Sequence, residues 1–284
     1  MTLWVEQLWH YPLKSAQGIA MSQADLHPHG IAQDRRWLLV DADGQMLTQR
    51  QLPQLGALQV ALPAVQHMAL TATLHLTGLG VGLCATASVD WPEQATVWGD
   101  TLAAWGVPDL INQQLSAVFG QAVRLVYCPD DTVRAVDPEY AAGYRTAFSD
   151  GFPVLVLSQS SLDALSAHWG QSVDVRRFRP NLLIAGDCAP FAEDTWSSIQ
   201  IGGLTFDLVK PCSRCVIPTL DPDQQQPTQG FARFLATQRR HANGKIYVGQ
   251  NAVIRQAQTA TSLATVLGKI AVGDVVDVQV DHGD

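Results

Sequence analysis

The chain has 284 residues, 47% of them apolar, enough for one large domain or two modest ones with a buried core. Its 18 basic and 26 acidic side chains leave a formal charge of −8, which argues against nucleic acid or an anionic membrane as a partner but leaves room for a small basic pocket. The five cysteines are odd in number and irregularly spaced, so a reducing, cytoplasmic setting is expected rather than a disulfide framework.

The opening stretch MTLWVEQLWHYPLK carries Glu6 and no cation before Lys14, unlike a secretory signal. No run of about 18 apolar residues is present to span a membrane. RRWLLVDADGQMLTQR predicts a strand, a turn at Asp43–Gly44 and a second strand. His27 and His29 in LHPHG read as turn residues. MALTATLHLTG alternates with period two, and ATVWGDTLAAWG reads as strand and turn. The first helix is expected in VPDLINQQLSAVFG, with Pro108 near its start, Gly120 at its end, and Leu110, Ile111, Leu115, Val118 and Phe119 on its apolar face. QAVRLVYCP returns to strand. The polar DDTVRAVDPEYAAGYRTAFSDG reads as a long functional or mobile loop. FPVLVLS is a buried strand, and SQSSLDALSAHWG a helix with a serine start and a glycine stop. NLLIAG, IQIGGLTFDLVK and VGDVVDVQVDHGD read as strands, and TQGFARFLATQRRHA as a short helix. The chain is thus β-rich, with a boundary near residues 120–125.

VKPCSRCVIPTLDPD places Cys212 and Cys215 three residues apart. A structural zinc site needs four ligands, yet Cys84, Cys128 and Cys188 stand singly and the nearest histidines are His168 and His241. A redox dithiol needs the N-terminus of a helix, and Pro211 before the pair and VIPT after it argue against one. A third reading is two buried structural cysteines, against which Arg214, Asp221 and Asp223 suggest a polar working site. Composition and spacing alone leave these readings open.

KPCSRCVIPTLDPD resembles the signature of the MOSC domain, as found in the mitochondrial amidoxime-reducing component family and its bacterial relatives. YPLKSAQGI, QDRRWLLVD, the WGD of Trp98–Asp100, SDGFPVLVLSQSSL and RRFRPNLLIAG are similar to further motifs of that family, in the same order, so the resemblance covers nearly the whole chain. It implies a mixed, β-rich fold: an N-terminal β-barrel-like domain over residues 1–122, packed on a C-terminal MOSC β-barrel with a few helices over residues 123–284.

The resemblance also implies the molybdenum cofactor, in its molybdenum–molybdopterin form. Cys215 takes the place of the thiolate on the metal, with Ser213 and Arg214 beside it and Cys212 as a structural neighbour. Lys14, Ser15, Arg35, Arg179 and Asn181 match the family's cofactor contacts; arginine suits phosphate through paired, charge-assisted bonds. Asp150 and Gly151 fall where the family's loop touches the cofactor, and Asn251 stands where some relatives place a tyrosine. Asp221 and Asp223 form either a turn or a proton relay beside the metal.

The implied activity is a two-electron reduction of N–OH to N–H in small N-hydroxylated compounds. Electrons are expected from a separate iron–sulfur or flavoprotein partner, because no cysteine set for a plant-type cluster follows Cys215. The alternative is a cofactor-binding or sulfur-carrying module without reductase activity, with a persulfide on Cys215 or Cys212. Pro218 in place of a threonine, and Gln224 and Gln225 after the aspartates, depart from the family pattern on the side expected to face the substrate.

Overall fold

Strands dominate the computed structural model, which describes residues 2–63, 70–259 and 264–280. The first half holds β1 (Leu3–His10), β2 (Ile19–Met21), β3 (Gln23–His27), β4 (Gly30–Ile31), β5 (Trp37–Val40), β6 (Gln59–Ala61), β7 (Thr71–Gly78), β8 (Val81–Val97), β9 (Asp100–Gly106), α1 (Asp109–Phe119) and β10 (Arg124–Tyr127). In β7, Ala72, Leu74 and Leu76 face inward while the residues between them stay partly exposed, the period-two pattern of a half-buried strand. The antiparallel order β5-β10-β9-β8-β7-β6 encloses a core that includes Trp37, Leu74, Leu115 and Tyr127. Helix α1 begins after Pro108 and stops at Gly120, whose φ of 67° lies in the left-handed region. It buries Leu115 and Phe119 but leaves Leu110 exposed, a narrower apolar face than the spacing predicts.

The stretch expected to be a loop contains β11 (Arg134–Ala135), α2 (Pro138–Ala141) and β12 (Arg145–Thr146), with α2 capped by the Asp137 side chain. Next come β13 (Val154–Ser158), α3 (Gln159–Trp169) and β14 (Leu182–Gly186); β13 and β14 run parallel, as a helical crossover requires. The chain continues through β15 (Trp196–Ile201), β16 (Leu204–Ser213), α4 (Phe231–Arg239), β17 (Tyr247–Ile254), β18 (Gly268–Ala271) and β19 (Val275–Val280).

Seven strands close into a barrel in the order β14-β13-β17-β16-β15-β19-β1, sealed by the pairing of β1 with β14. Closure leaves no open edge in that ring. Val5, Val156, Ile184 and Phe206 fill its interior. Helices α3 and α4 cover the outer face of β13 and β14 through Leu165, Phe231 and Leu235, packed on Leu157 and Leu183. That is why FPVLVLS and NLLIAG are apolar on both faces. Hydrogen bonding crosses between the two halves of the chain: β1 and β2 belong to the barrel sheet, and β3 pairs with β18; β10, just past residue 122, stays with the N-terminal sheet by pairing with β5.

After β5 the turn forms at Gly44, with φ 77°. The second strand expected there is reduced to isolated bridges between Val40 and Met46 and between Gln45 and Thr96. Thr48 donates from its backbone and hydroxyl to Gln51 Oε1, at 3.1 and 2.8 Å, and this local cap turns the chain away. His29 sits in the β3–β4 turn, as LHPHG suggests, but is buried against the Arg36 guanidinium at 3.2 Å. Among the described residues no helix is long and apolar enough to cross a membrane.

Gly186 marks the barrel seam. Its φ is 121°, and a Cβ there would lie 2.3 Å from the Thr2 carbonyl oxygen and 2.9 Å from Leu3 Cα. Gly186→Ala is expected to destabilise the protein by about 2 kcal/mol or more, seen as a fall of several degrees in Tm; an unchanged Tm would contradict the closed seam.

Candidate functional site

A cleft of about 380 Å³ opens where the loops after β1, before β5, before β13 and before β14 meet the end of β16. Lys14, Ser15, Arg35, Asp150, Gly151, Arg179, Asn181, Ser213, Arg214, Cys215 and Asn251 all line it. Cys212 lines it as well. The consecutive run Lys210 to Cys215 can share one wall because β16 is bulged against β17 between Leu208 and Lys210 and again between Pro211 and Ser213. A regular pleat would send alternate residues to opposite faces; bulges re-aim them, and Pro211, without an N–H, is tolerated at one.

Tyr11 is the platform of the site. Its ring lies 4.4 Å from Arg35 Cζ and 4.2 Å from Arg179 Cζ. Its hydroxyl donates to the Pro180 carbonyl at 3.0 Å, and its backbone N–H donates to Asp34 Oδ1 at 2.7 Å. Gly18 gives the ring room, since a Cβ there would stand 2.4 Å from Tyr11 Cε1. Arg35 donates to Asp34 at 2.5 Å, to Asn181 Oδ1 at 3.2 Å and to the Arg179 carbonyl at 3.2 Å. Asn181 is buried; its Oδ1 also accepts from Leu155 N, and its Nδ2 donates to the Trp9 carbonyl. It therefore orients Arg35 more than it offers free polar atoms. Ser15, Arg35 and Arg179 hold φ values of 71°, 48° and 54°, left-handed backbone that is uncommon for non-glycine residues.

A second clamp holds the loop before β13. Lys14 Nζ donates at 2.7 Å both to the Phe148 carbonyl and to Asp150 Oδ1, which also accepts from the Trp98 indole at 3.3 Å. Arg134, buried, donates to the carbonyls of Ala147, Ser149 and Asp150 and to Asp100. Trp98 and Asp100 of the WGD stretch thus act on this loop from the β8–β9 turn. On the opposite wall, Arg214 Nε donates to the Val248 carbonyl at 3.0 Å, and Lys210 Nζ sits 3.7 Å from the Tyr140 ring centroid.

The electrostatics are one-sided. Lys14, Arg35, Arg50, Arg177, Arg179, Lys210 and Arg214 line the cleft, and Asp150 is the single acid among the lining residues. Burial lowers the pKa of Lys14 and pulls that of Arg179 down to about 10. Burial opposes the charge on Arg35, but Asp34, Tyr11 and Asp150 together raise its pKa. Burial also opposes the charge on Asp150, yet Lys14, with help from Arg35 and Trp98, holds its carboxyl well below the usual carboxylate range. Arg179 Nη2 and Arg214 Nη2 are buried without a hydrogen-bond partner, a costly state that an anion in the cleft would relieve. Cys215 is exposed at the cleft, whereas burial pushes the Cys212 thiol up. Among the described residues no three His, Cys, Asp or Glu side chains converge as a metal-binding group, so a metal here would need most of its ligands from a cofactor.

Asp221 and Asp223 are not brought to this cleft. Asp221 Oδ1 accepts from the backbone N–H groups of Asp223 and Gln224, closing the turn. Asp223 takes both Arg176 nitrogens at 2.8 and 3.0 Å, and these bonds hold its pKa low. Arg177 latches the same loop by donating to the carbonyls of Pro218 and Leu220 and to Thr228 Oγ1. Tyr11, Arg50, Arg134, Arg177 and Lys210 are not singled out by the sequence; Tyr11, Arg177 and Lys210 stand inside the family-like motifs, whereas Arg134 lies in the polar stretch read only as a functional or mobile loop.

Residues 2–122 match the MOSC N-terminal beta barrel domain, and residues 143–277 match the MOSC domain. The chain is 31% identical over 232 residues to mitochondrial amidoxime reducing component 2 of Bos taurus, covering 77% of this chain and 67% of the relative. It is 32% identical over 234 residues to mitochondrial amidoxime-reducing component 1 of Mus musculus, covering 77% and 66%. A molybdenum cofactor sulfurase of Oryza sativa subsp. japonica is 28% identical over 258 residues, covering 84% of this chain and 31% of that protein. The chain therefore spans about two thirds of the length of the amidoxime-reducing relatives.

Pyrophosphate, as an anion probe, is expected to raise Tm by binding the folded state, and Lys14→Met and Arg179→Gln are each expected to weaken it about tenfold. The Arg179 pKa of about 10 lies below the ordinary 12.5. Its buried charge therefore costs stability below pH 10, and that cost is relieved as the pH rises through 10. The pyrophosphate effect should fade in the same window; a Tm indifferent to pyrophosphate at pH 7 would contradict the anion site.

Proposed function

The chain belongs to the MOSC domain family, and on that premise we propose that it is a molybdenum-cofactor-dependent reductase that converts N–OH to N–H in small N-hydroxylated compounds. The observation that carries this reading is the convergence of one exposed thiol, Cys215, with seven cations and two unpartnered buried guanidinium nitrogens in a single cleft. A soft thiolate at one end and phosphate-type donors around the rest fit a pterin that carries both a metal and a phosphate.

Cys215 would hold the metal, as the family resemblance implies and its exposure at the cleft supports. Lys14, Ser15, Arg35 and Arg179 hold the anionic and polar parts of the pterin, with Asn181 and Asp34 fixing Arg35. Gly151 presents backbone without a side chain, and a Cβ there would meet nothing within 4 Å, so a ligand can approach closely. Ser213, Arg214 and Asn251 complete the wall beside Cys215. Bound there, the cofactor supplies a redox-active metal able to exchange two electrons. Asp150 stays ionised at neutral pH and orients Lys14 rather than delivering a proton. We assign Asp221 and Asp223 to the turn and its arginine latch, not to proton transfer. Electrons are assigned to a separate iron–sulfur or flavoprotein donor.

A second reading, a cofactor or sulfur carrier without reductase activity, is favoured by the exposure of Cys215 with Cys212 in the same cleft. One experiment separates the two. Protein from a cofactor-producing host should carry molybdenum, and Cys215→Ala much less, by elemental analysis. The loaded protein should reduce an amidoxime only with an added reductant or donor protein. Zinc or no metal would overturn the cofactor assignment; molybdenum without turnover, with an extra sulfur atom on Cys215 by mass spectrometry, would favour the carrier.

A further inference from the structure

Between Asp223 and Asp274 the chain carries six Lys and Arg residues and no acid, although its formal charge is −8 overall. Three of the six are matched by carboxylates from other parts of the fold: Arg239 by Asp194, Arg255 by Asp207 and Lys269 by Asp25. Among the described residues, no ion pair joins a carboxylate to Arg233, Arg240 or Lys245, and all three are exposed. They are borne by α4 and the turn after it. Arg233 and Arg240 lie about two helical turns apart. Arg240 Nη1 donates to the Gly244 carbonyl at 3.2 Å, across the turn that carries His241 and Lys245. The His241 N–H donates to the Lys245 carbonyl and the Gly244 N–H to the His241 carbonyl, both at 2.9 Å, and these bonds close the turn. A helix C-terminus favours cations, which accounts for Arg239 and Arg240. It does not account for Lys245, beyond the helix, or for Arg233, in the first turn, where the dipole disfavours a cation.

We propose that the basic face formed by Arg233, Arg240, His241 and Lys245 docks a small acidic electron-carrier protein of the ferredoxin kind. The face is tied to the thiol end of the cleft by the strand that leaves the turn. Arg214, next to Cys215, donates its backbone N–H to the Ile246 carbonyl at 2.8 Å and its Nε to the Val248 carbonyl at 3.0 Å, and Ser213 pairs with Tyr247. Unmatched cations in an otherwise acidic chain draw an acidic partner to this face and repel it elsewhere, so charge fixes where such a partner lands. Among the described residues no large exposed apolar side chain stands between Val216 and Val266. A permanent subunit interface would need an apolar centre; a small, polar, charged face suits the brief encounters of electron-transfer proteins. Such carriers deliver electrons singly, so a two-electron reduction needs repeated docking and release. That the occupant carries electrons rests on the function proposed above; that it is acidic rests on the face alone.

The test is direct binding of a plant-type [2Fe–2S] ferredoxin, followed by calorimetry, with cytochrome c as a basic carrier and a DNA oligonucleotide as a second anionic macromolecule. Ferredoxin should bind saturably at low salt and lose about tenfold or more in affinity as ionic strength rises from about 0.01 M to about 0.15 M. Arg240→Glu and Lys245→Glu should each weaken it about tenfold at low salt. Lys269→Glu, which makes the same change in net charge on β18, should leave it unchanged. None of these residues lines the cleft, so all three variants should keep the wild-type Tm rise with pyrophosphate, which separates a lost surface from a lost fold. Binding needs neither cofactor nor turnover, so a protein without reductase activity can still pass this test. With molybdenum-loaded protein, the same two reversals should raise the KM for ferredoxin about tenfold and leave turnover with reduced methyl viologen unchanged. No saturable ferredoxin binding, equal binding of cytochrome c, tighter binding of the oligonucleotide, or an equal effect of Lys269→Glu would overturn the proposal.

Discussion

Two guanidinium groups share one buried tyrosine ring, with Arg35 and Arg179 both within 4.4 Å of the Tyr11 centroid. Like charges at such range repel unless something of opposite sign or polarisability lies between them. The ring, the Asp34 carboxylate and several carbonyls offset part of that repulsion; the pKa of Arg179 is pulled down to about 10 by burial first, with Arg35 adding to it. A cleft organised this way favours an anion. The arginine whose charge is least comfortable is also one with a buried nitrogen lacking a partner.

The fold creates this situation by bringing separate stretches of chain to one place. The barrel is closed with a strand from the extreme N-terminal part, so the loop after β1, carrying Tyr11, Lys14 and Ser15, is tied to β14 and the arginine-rich loop before it. The bulges in β16 then turn Lys210 to Cys215 onto the same wall. The end of β16 and the two residues beyond it carry the cysteine end, whereas left-handed backbone at Ser15, Arg35 and Arg179 carries the cationic end. Backbone strain of this kind persists only where the surroundings over-determine it. The hydrogen bonds from Lys14 and Arg134 to carbonyls of residues 147–150 supply such constraint on the neighbouring loop.

The two cavities divide the chemistry. In the cleft, cations outnumber the single acid Asp150. In the smaller pocket that shares Arg177 and Arg179 with it, Arg176 is tied to Asp174 and Asp223, and Gln17, Gln49 and Gln225 stand beside Trp9 and Tyr11. The aspartates of the Asp-Pro-Asp turn belong to that second arrangement. Their spacing resembles a proton relay on paper, but their oxygens are occupied by backbone N–H groups and arginine.

Much of the architecture was legible in the residues because local patterning and packing agree. The alternation in β7, the apolar runs of β13 and β14, and the serine and glycine ends of α3 each state a local preference that the tertiary fold keeps. The site was legible as a set of motifs: every residue expected to touch the cofactor lines one cleft. Other features depended on three-dimensional context. The strand expected after Gly44 is reduced to isolated bridges, and the chain turns at the Thr48–Gln51 cap. The stacking of two arginines on Tyr11, the clamp formed by Arg134, and the exclusion of Asp221 and Asp223 from the cleft join residues up to 169 positions apart, as in the Tyr11–Pro180 bond. Sequence determines which groups can donate, accept or carry charge; which of them meet, and which are already satisfied before a ligand arrives, is set by barrel closure and backbone bulges that depend on contacts distant in the chain.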